Sequence, residues 1–139
     1  MKKLKFSAEE RTKLKHLGVD AVILFGSRAI GMAREKSDFD IGILVRDPKI
    51  IFSPEKKSTL YDQLYDILSE NIRQLVNIDI VFLQNVSAEL QAHVMKHGKI
   101  LYESDPNAFP NFKEQVMLQY ADFAPLRTIF QSGTLSHIQ

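Results

Sequence analysis

The sequence predicts a two-layer α/β fold with a small mixed sheet flanked by helices. Short apolar runs typical of buried strands alternate with longer segments whose apolar residues recur at helical spacing. Glycine, proline and serine residues separate these segments, as expected for turns and helix caps. With 139 residues, of which 45% are hydrophobic and 25% charged, the chain is large enough for one domain with a core of its own.

The first third of the chain predicts a helix followed by two strands. Ser7 with Glu10 three residues later is a capping-box signature, which predicts a helix over residues 8–16. The continuous apolar run 21–25 is typical of a strand that is buried on both faces. Residues 38–45 predict the second strand. It follows the first after only a short excursion, so the strand directions stay open and a mixed sheet is expected.

The middle of the chain predicts two more strands and two helices. Ser53-Pro54 is typical of an N-cap with proline at the first helical position, and apolar residues at helical spacing extend the predicted helix over 55–75. The run 78–83 predicts the third strand. A helix is expected over 87–98, and 99–102 predicts a short strand at an edge of the sheet.

Composition excludes several classes of function. A formal net charge of +1 creates no global field that demands a nucleic-acid or membrane partner. The absence of cysteine excludes disulfides, thiolate zinc sites and cysteine catalysis. No apolar run approaches the roughly 20 residues needed to span a bilayer, and no apolar stretch follows the N-terminal lysines as in a signal peptide. We therefore expect a cytoplasmic protein.

Three aspartates at strand beginnings are the strongest candidates for chemistry. Asp38 and Asp40 are two residues apart on a predicted strand, so their side chains should share one face, with Gly42 keeping that space open. Such close carboxylates raise the pKa of one of them unless a cation lies between them. Oxygen ligands suit Mg²⁺ or Mn²⁺, and Asp79 on a later strand can add the third carboxylate of a site for two ions about 3.5–4 Å apart.

A glycine turn after the first strand supplies a candidate phosphate site. Gly26 allows the backbone to approach a phosphate, and Ser27 is expected to donate to a phosphate oxygen and to cap a short helix that runs toward Arg34. Arg28 offers a forked guanidinium to the same phosphates. Each motif alone is more simply a turn, a helix cap or a surface acid. Their shared order and strand context favour one site.

These motifs resemble the nucleotidyltransferase superfamily with the polymerase-β-like fold. The runs 26–31 and 37–40 are most similar to the minimal nucleotidyltransferases, the antitoxin halves of HEPN/MNT toxin–antitoxin pairs. The run 94–103 resembles the closing helix and strand of that family, so the resemblance covers nearly the whole chain. It departs at Ile30, where these proteins often have a second arginine, and this implies weaker phosphate binding.

The resemblance implies a Mg²⁺-dependent protein adenylyltransferase that moves AMP from ATP to a tyrosine hydroxyl of a HEPN ribonuclease toxin and silences it. Gly26 and Ser27 would contact the triphosphate. Asp38 and Asp40 would bind both metal ions, and Asp79 would serve the side of the attacking hydroxyl. The expected partners are the toxin, in a hetero-oligomer, and ATP, with no direct binding of nucleic acid or membrane. Adenylylation of a small aminoglycoside-like molecule and non-catalytic steric blocking of the toxin are the alternatives.

We expect a nucleotidyltransferase domain over residues 1–104 and a C-terminal helical tail over 105–139. The segment 105–110 carries two prolines and predicts a linker. A helix should follow from about residue 112, and Pro125 must end or kink it. The tail is rich in aromatic residues, which favours packing on its own domain and docking on a partner about equally. These residues are Phe109, Phe112, Tyr120, Phe123 and Phe130.

Overall fold

The computed structural model describes residues 4–34 and 36–122, which alternate between helices and strands. In chain order the elements are α1 (Ala8–His16), β1 (Val19–Phe25), β2 (Phe39–Val45), α2 (Pro54–Ile72), β3 (Ile78–Phe82), α3 (Ala88–His97), β4 (Lys99–Glu103) and α4 (Ala108–Asp122). Short 3-10 turns cover 26–28, 48–52 and 83–85. Among the described helices, none is both long enough and apolar enough to cross a membrane.

The four strands form one mixed sheet in the order β3-β2-β1-β4. β1 pairs antiparallel with β2 on one side and with β4 on the other. β2 and β3 pair in parallel, which requires a crossover, and α2 provides it. The predicted mixed sheet and the predicted edge position of the last strand are both confirmed.

Helices cover both faces of the sheet, so the fold has three layers and the two-layer prediction is wrong. One face packs against α1 and α2, through residues such as Val22, Ile41, Leu14 and Leu64. The other face packs against α3 and α4, and there the buried residues are Ala21, Ile23, Phe25, Leu44, Leu83, Ala92, Val94, Met95 and Val116. Strand residues alternate between these two cores, as the pleat requires.

The observed helix boundaries agree with some of the capping and turn residues in the sequence and differ from others. The Ser7–Glu10 capping box is present, and α1 has the predicted bounds. α2 stops at Ile72, short of the predicted residue 75, because Arg73 takes a left-handed backbone conformation with φ 52°. α4 begins at Ala108, so the predicted linker over 105–110 is wrong in its second half. Pro110 lies in the first helical turn, where its missing N–H has no intrahelical role.

The described part of the tail packs on its own domain. Val116 is buried in the core between α3, α4 and the sheet, and Phe109 and Phe112 pack against the same core partly exposed. Phe123, Pro125 and Phe130, together with the side chain of Tyr120, lie outside the described residues. The division into a domain over 1–104 and a tail over 105–139 stays a prediction.

Candidate active site

The sheet brings Asp40 and Asp79 side by side. Asp40 is directly opposite Phe25 of β1 in the antiparallel pair, and directly opposite Asp79 of β3 in the parallel pair. Their neighbours Ile41 and Ile80 both point into the core under α1 and α2. Because side chains alternate along a strand, the two carboxylates share the opposite face, at the end of the sheet where β1 finishes and β2 and β3 begin.

The three acids differ in exposure. Asp38 comes one residue before β2 and is exposed, as is Asp79, whereas Asp40 is partly buried. Burial is the main cause that raises the pKa of the Asp40 carboxyl, and the negative charges of Asp79 and Asp38 raise it further. The prediction that crowding raises the pKa of one carboxyl is confirmed, although loss of water contributes more than repulsion.

These residues fit a hard divalent cation, but they are not arranged around one. Within residues 4–34 and 36–122, no three His, Asp or Glu side chains are grouped closely enough to hold a metal ion as they stand. The donors at the site are carboxylate oxygens, which suit Mg²⁺. Burial raises the pKa of Asp40 most, and the charges of Asp79 and Asp38, which raise it further, are charges that a cation would neutralise. Binding therefore requires the exposed Asp38 and Asp79 side chains to turn toward Asp40.

Gly26 is in direct contact with Asp40. Its φ is +75°, a left-handed conformation that side chains disfavour. A Cβ at this position would collide with Oδ2 of Asp40 and would lie 3.0 Å from its Cγ. Glycine is therefore required here twice, once for the turn and once because the carboxylate rests against its backbone. The sequence indicated only the first reason.

The short helix predicted from Ser27 toward Arg34 is wrong. The chain makes one 3-10 turn over Gly26–Arg28, and no side chain caps it. Gly31 then takes φ +76°, and the amide of Met32 donates to the carbonyl of Ser27 at 2.9 Å, which closes the turn in the manner of a helix C-cap. The site thus offers the amides of a tight turn and the half-buried Ser27, without a helix N-terminus behind them.

Arg28 is buried and bonded to the chain just before Asp38. Only 7% of its surface is exposed. Its Nε and Nη2 both donate to the carbonyl oxygen of Ser37, at 3.0 and 2.7 Å, and its Cζ lies 3.8 Å from the centroid of the Phe39 ring. The sequence predicted this guanidinium as a phosphate ligand. No spacing in the sequence indicates the observed partner, because that partner is a backbone carbonyl.

The sequence suggested that Gly42 keeps space open beside the acids, and this prediction is wrong. A Cβ at Gly42 would meet the side chain of Leu83 at 3.0 Å, so the room is already filled. Leu83 follows β3 and is fully buried, and Gln91 of α3 donates to its carbonyl at 2.7 Å. The absence of a side chain at Gly42 therefore lets Leu83, which follows β3, pack closely over β2.

Comparison with known proteins decides the family. A family model described as polymerase beta, nucleotidyltransferase, matches residues 10–107. The chain belongs to this family. Its predicted enzyme class, a nucleotidyltransferase, and its polymerase-β-like fold are both confirmed.

Two individual proteins indicate which kind of nucleotidyltransferase the chain resembles. Protein adenylyltransferase MntA from Aphanizomenon flos-aquae (strain 2012/KM1/D3) is 32% identical over 108 residues, which are 77% of this chain and 71% of that protein. A crystal structure of a toxin–antitoxin with AMP-PNP has TM-score 0.69 at 21% identity and covers 94% of this chain and 99% of that one. These matches confirm the resemblance to minimal nucleotidyltransferases.

A second structure has the same fold. It is a complex, described as the tri-AMPylated Shewanella oneidensis HEPN toxin with MNT antitoxin. The matching chain of this complex has TM-score 0.61 at 20% identity, and the match covers 91% of this chain and 97% of that chain. At such identity the likeness shows the fold, and the roles of individual residues rest on the geometry described above.

Proposed function

We propose that this nucleotidyltransferase is a Mg²⁺-dependent protein adenylyltransferase. It transfers AMP from ATP to a tyrosine hydroxyl of a HEPN ribonuclease toxin and so acts as the antitoxin, in the cytoplasm and in a hetero-oligomer with that toxin. The observation that carries the proposal is the position of Asp40, between the glycine turn on one side and Asp79 on the other. A relative named as a protein adenylyltransferase supports the choice of reaction.

In the proposed reaction, the tyrosine oxygen attacks the α-phosphorus of ATP and pyrophosphate leaves. The glycine turn, through Gly26 and Ser27, holds the triphosphate beside the acids. Asp38 and Asp40 would hold the metal ions, and Asp79 would lie on the side of the attacking hydroxyl, where it would help to remove the proton. When bound, the ions would supply neutralisation of charge on the transferred phosphate, and the residues of the chain would orient the two reactants.

A protein acceptor is favoured by the surface next to the site. Ile30 and Met32 lie between the glycine turn and Asp38, and 52% and 75% of their surfaces are exposed. These two apolar side chains are available for contact with a protein acceptor that approaches the glycine turn. Structures of MNT antitoxin with HEPN toxin support the toxin as that protein.

The direct test is the intact mass of the cognate HEPN toxin after incubation with this protein, ATP and Mg²⁺. We expect the toxin to gain one or more AMP groups, mapped to tyrosine by peptide mass spectrometry, and to lose ribonuclease activity. Omitting Mg²⁺ or replacing Asp38 and Asp40 together with alanine should prevent the gain. An unmodified toxin after reaction with well-folded wild-type protein would refute the proposed activity.

Steric blocking is the second candidate, because the three carboxylates are not already grouped around an ion site in the described residues. The same double variant separates it from catalysis. If the alanine variant still neutralises the toxin fully at equal concentration, covering the toxin is sufficient. If neutralisation is lost while the two proteins still copurify, AMP transfer is the mechanism.

A further inference from the structure

We propose that Arg28 is a positioning residue that holds the backbone from which the Asp38 side chain reaches the metal site, and that it is not a phosphate ligand. The inference deepens the proposed function and rests on it for the role of Asp38. Among the described residues, Arg28 is the one buried charged side chain, and the inference gives it the role of supporting the backbone next to a catalytic acid.

Three contacts of Arg28 are made with the two residues that flank Asp38. Two N–H groups of its guanidinium donate to the Ser37 carbonyl, at 3.0 and 2.7 Å. That carbonyl belongs to the same planar peptide unit as the amide nitrogen of Asp38. The guanidinium also lies against the ring of Phe39, 3.8 Å from its centroid. One side chain therefore holds the backbone just before Asp38 and packs on the side chain of the residue just after it.

Asp38 needs such support because it is exposed and lies outside the regular strand. Phe39, by contrast, is buried in the core, and its amide donates to the carbonyl of Asn77 at 2.9 Å. Ser37 is held from its other side, since its Oγ accepts from the amide of Arg34 at 2.7 Å. The Ser37 amide also donates to the carbonyl of Arg34, at 3.0 Å. With Arg28 removed these contacts remain, but the Ser37 carbonyl loses both guanidinium donors, so the peptide unit that leads into Asp38 is held less firmly.

The same contacts argue against a role in binding phosphate. To reach a phosphate beside the exposed part of the turn, the guanidinium would have to leave its buried position and its bonds to Ser37. That move exposes the Phe39 ring and leaves the carbonyl without its charged donors, which is unfavourable. The amides and the hydroxyl of the Gly26–Ser27 turn are then the groups that contact the phosphates.

The test compares Arg28→Met and Arg28→Lys with wild type and with Arg46→Met. Arg46 is a matched control, since it pairs with Asp20 at 3.3 Å at the opposite end of the sheet and its replacement removes the same charge. Three quantities are measured for each protein. They are hydrogen exchange of the amides of residues 37–39 in the metal-free protein, the Kd for ATP without acceptor, and kcat for AMP transfer with its Mg²⁺ dependence.

We expect Arg28→Met to accelerate exchange at residues 37–39 about tenfold or more, because charged hydrogen bonds are lost. The Kd for ATP should change by less than about threefold, while kcat falls about 100-fold and the Mg²⁺ concentration for half-maximal rate rises. Arg28→Lys keeps the charge without the fork, so its exchange and kcat should fall between those of wild type and Arg28→Met. Arg46→Met should match wild type in all three quantities.

A large loss of ATP affinity with unchanged exchange, in either Arg28 variant, would overturn the proposal and make Arg28 a phosphate ligand. Wild-type behaviour in all three measurements would overturn it too. If Arg28→Met does not fold, Arg28→Lys carries the decision. If wild-type protein transfers no AMP at all, the proposed function fails, whereas exchange and ATP binding still report on the position of the Asp38 backbone.

Discussion

Replacing Gly26 with alanine separates backbone strain from damage to the acid site. The left-handed conformation at φ +75° costs a side chain about 1–2 kcal/mol of folding free energy. The new Cβ would also collide with the Asp40 carboxylate, with Cγ at 3.0 Å, so that carboxylate must rotate away. A displacement of about 1 Å at a catalytic group lowers the rate about 100-fold.

Gly18→Ala provides the matched control for this substitution. Gly18 has φ +79°, and nothing lies within 4 Å of a Cβ built there. Both variants should therefore lose a similar 1–2 kcal/mol of unfolding free energy, roughly, in urea denaturation. Only Gly26→Ala should lose AMP transfer, measured as the initial rate of toxin modification. Equal rates for the two variants would refute the conclusion that the Gly26 backbone supports the Asp40 carboxylate.

Three further predictions follow from the same geometry. Asp40 holds its proton more tightly in the folded protein, so its contribution to stability is present at low pH and is lost as pH rises through its raised pKa. Asp40→Asn should therefore raise the melting temperature at neutral pH but not below about pH 3.9. Thermal denaturation of both proteins across this pH range, without metal, measures the difference. Asp79→Asn and Asp38→Asn remove exposed charges, so unfolding free energy should change by less than about 0.5 kcal/mol while AMP transfer falls about 100-fold or more. Gln84→Ala removes the amide that bonds to the N–H and C=O of Val45, at 3.3 and 2.8 Å; urea denaturation should show a loss of about 1–3 kcal/mol, with AMP transfer unchanged.

The acid site was predictable because carboxylates in apolar strands are conspicuous. Alternation along a strand determines which face Asp40 and Asp79 share once each strand is recognised, and both strands were recognised from their apolar runs. The sequence gives no register between distant strands, so the direct pairing of these two residues is visible only in the structure. The greater weight of burial in the raised pKa of Asp40 also depends on packing.

The features that sequence reasoning missed depend on contacts between distant segments or on backbone angles. Arg28 donates to a backbone carbonyl, and every residue has one, so the sequence cannot indicate which carbonyl accepts. The space beside Gly42 is filled by Leu83, which is far along the chain. The left-handed angle of Gly31 ends the turn after Ser27, and glycine allows that angle without requiring it.

The crossover helix α2 has a consequence for how this enzyme can be studied. Asp40 and Asp79 belong to the two strands that α2 joins, and a slip of one residue between those strands would carry Asp79 to the opposite face of the sheet. The apolar stripe of α2 packs on the face remote from the acids, whereas Asp62 and Asp66 on its outer side are exposed. Since the chain contains no cysteine, a single cysteine at either position gives a unique labelling point. A fluorophore or spin label there can report on assembly of the proposed toxin complex without altering the acids.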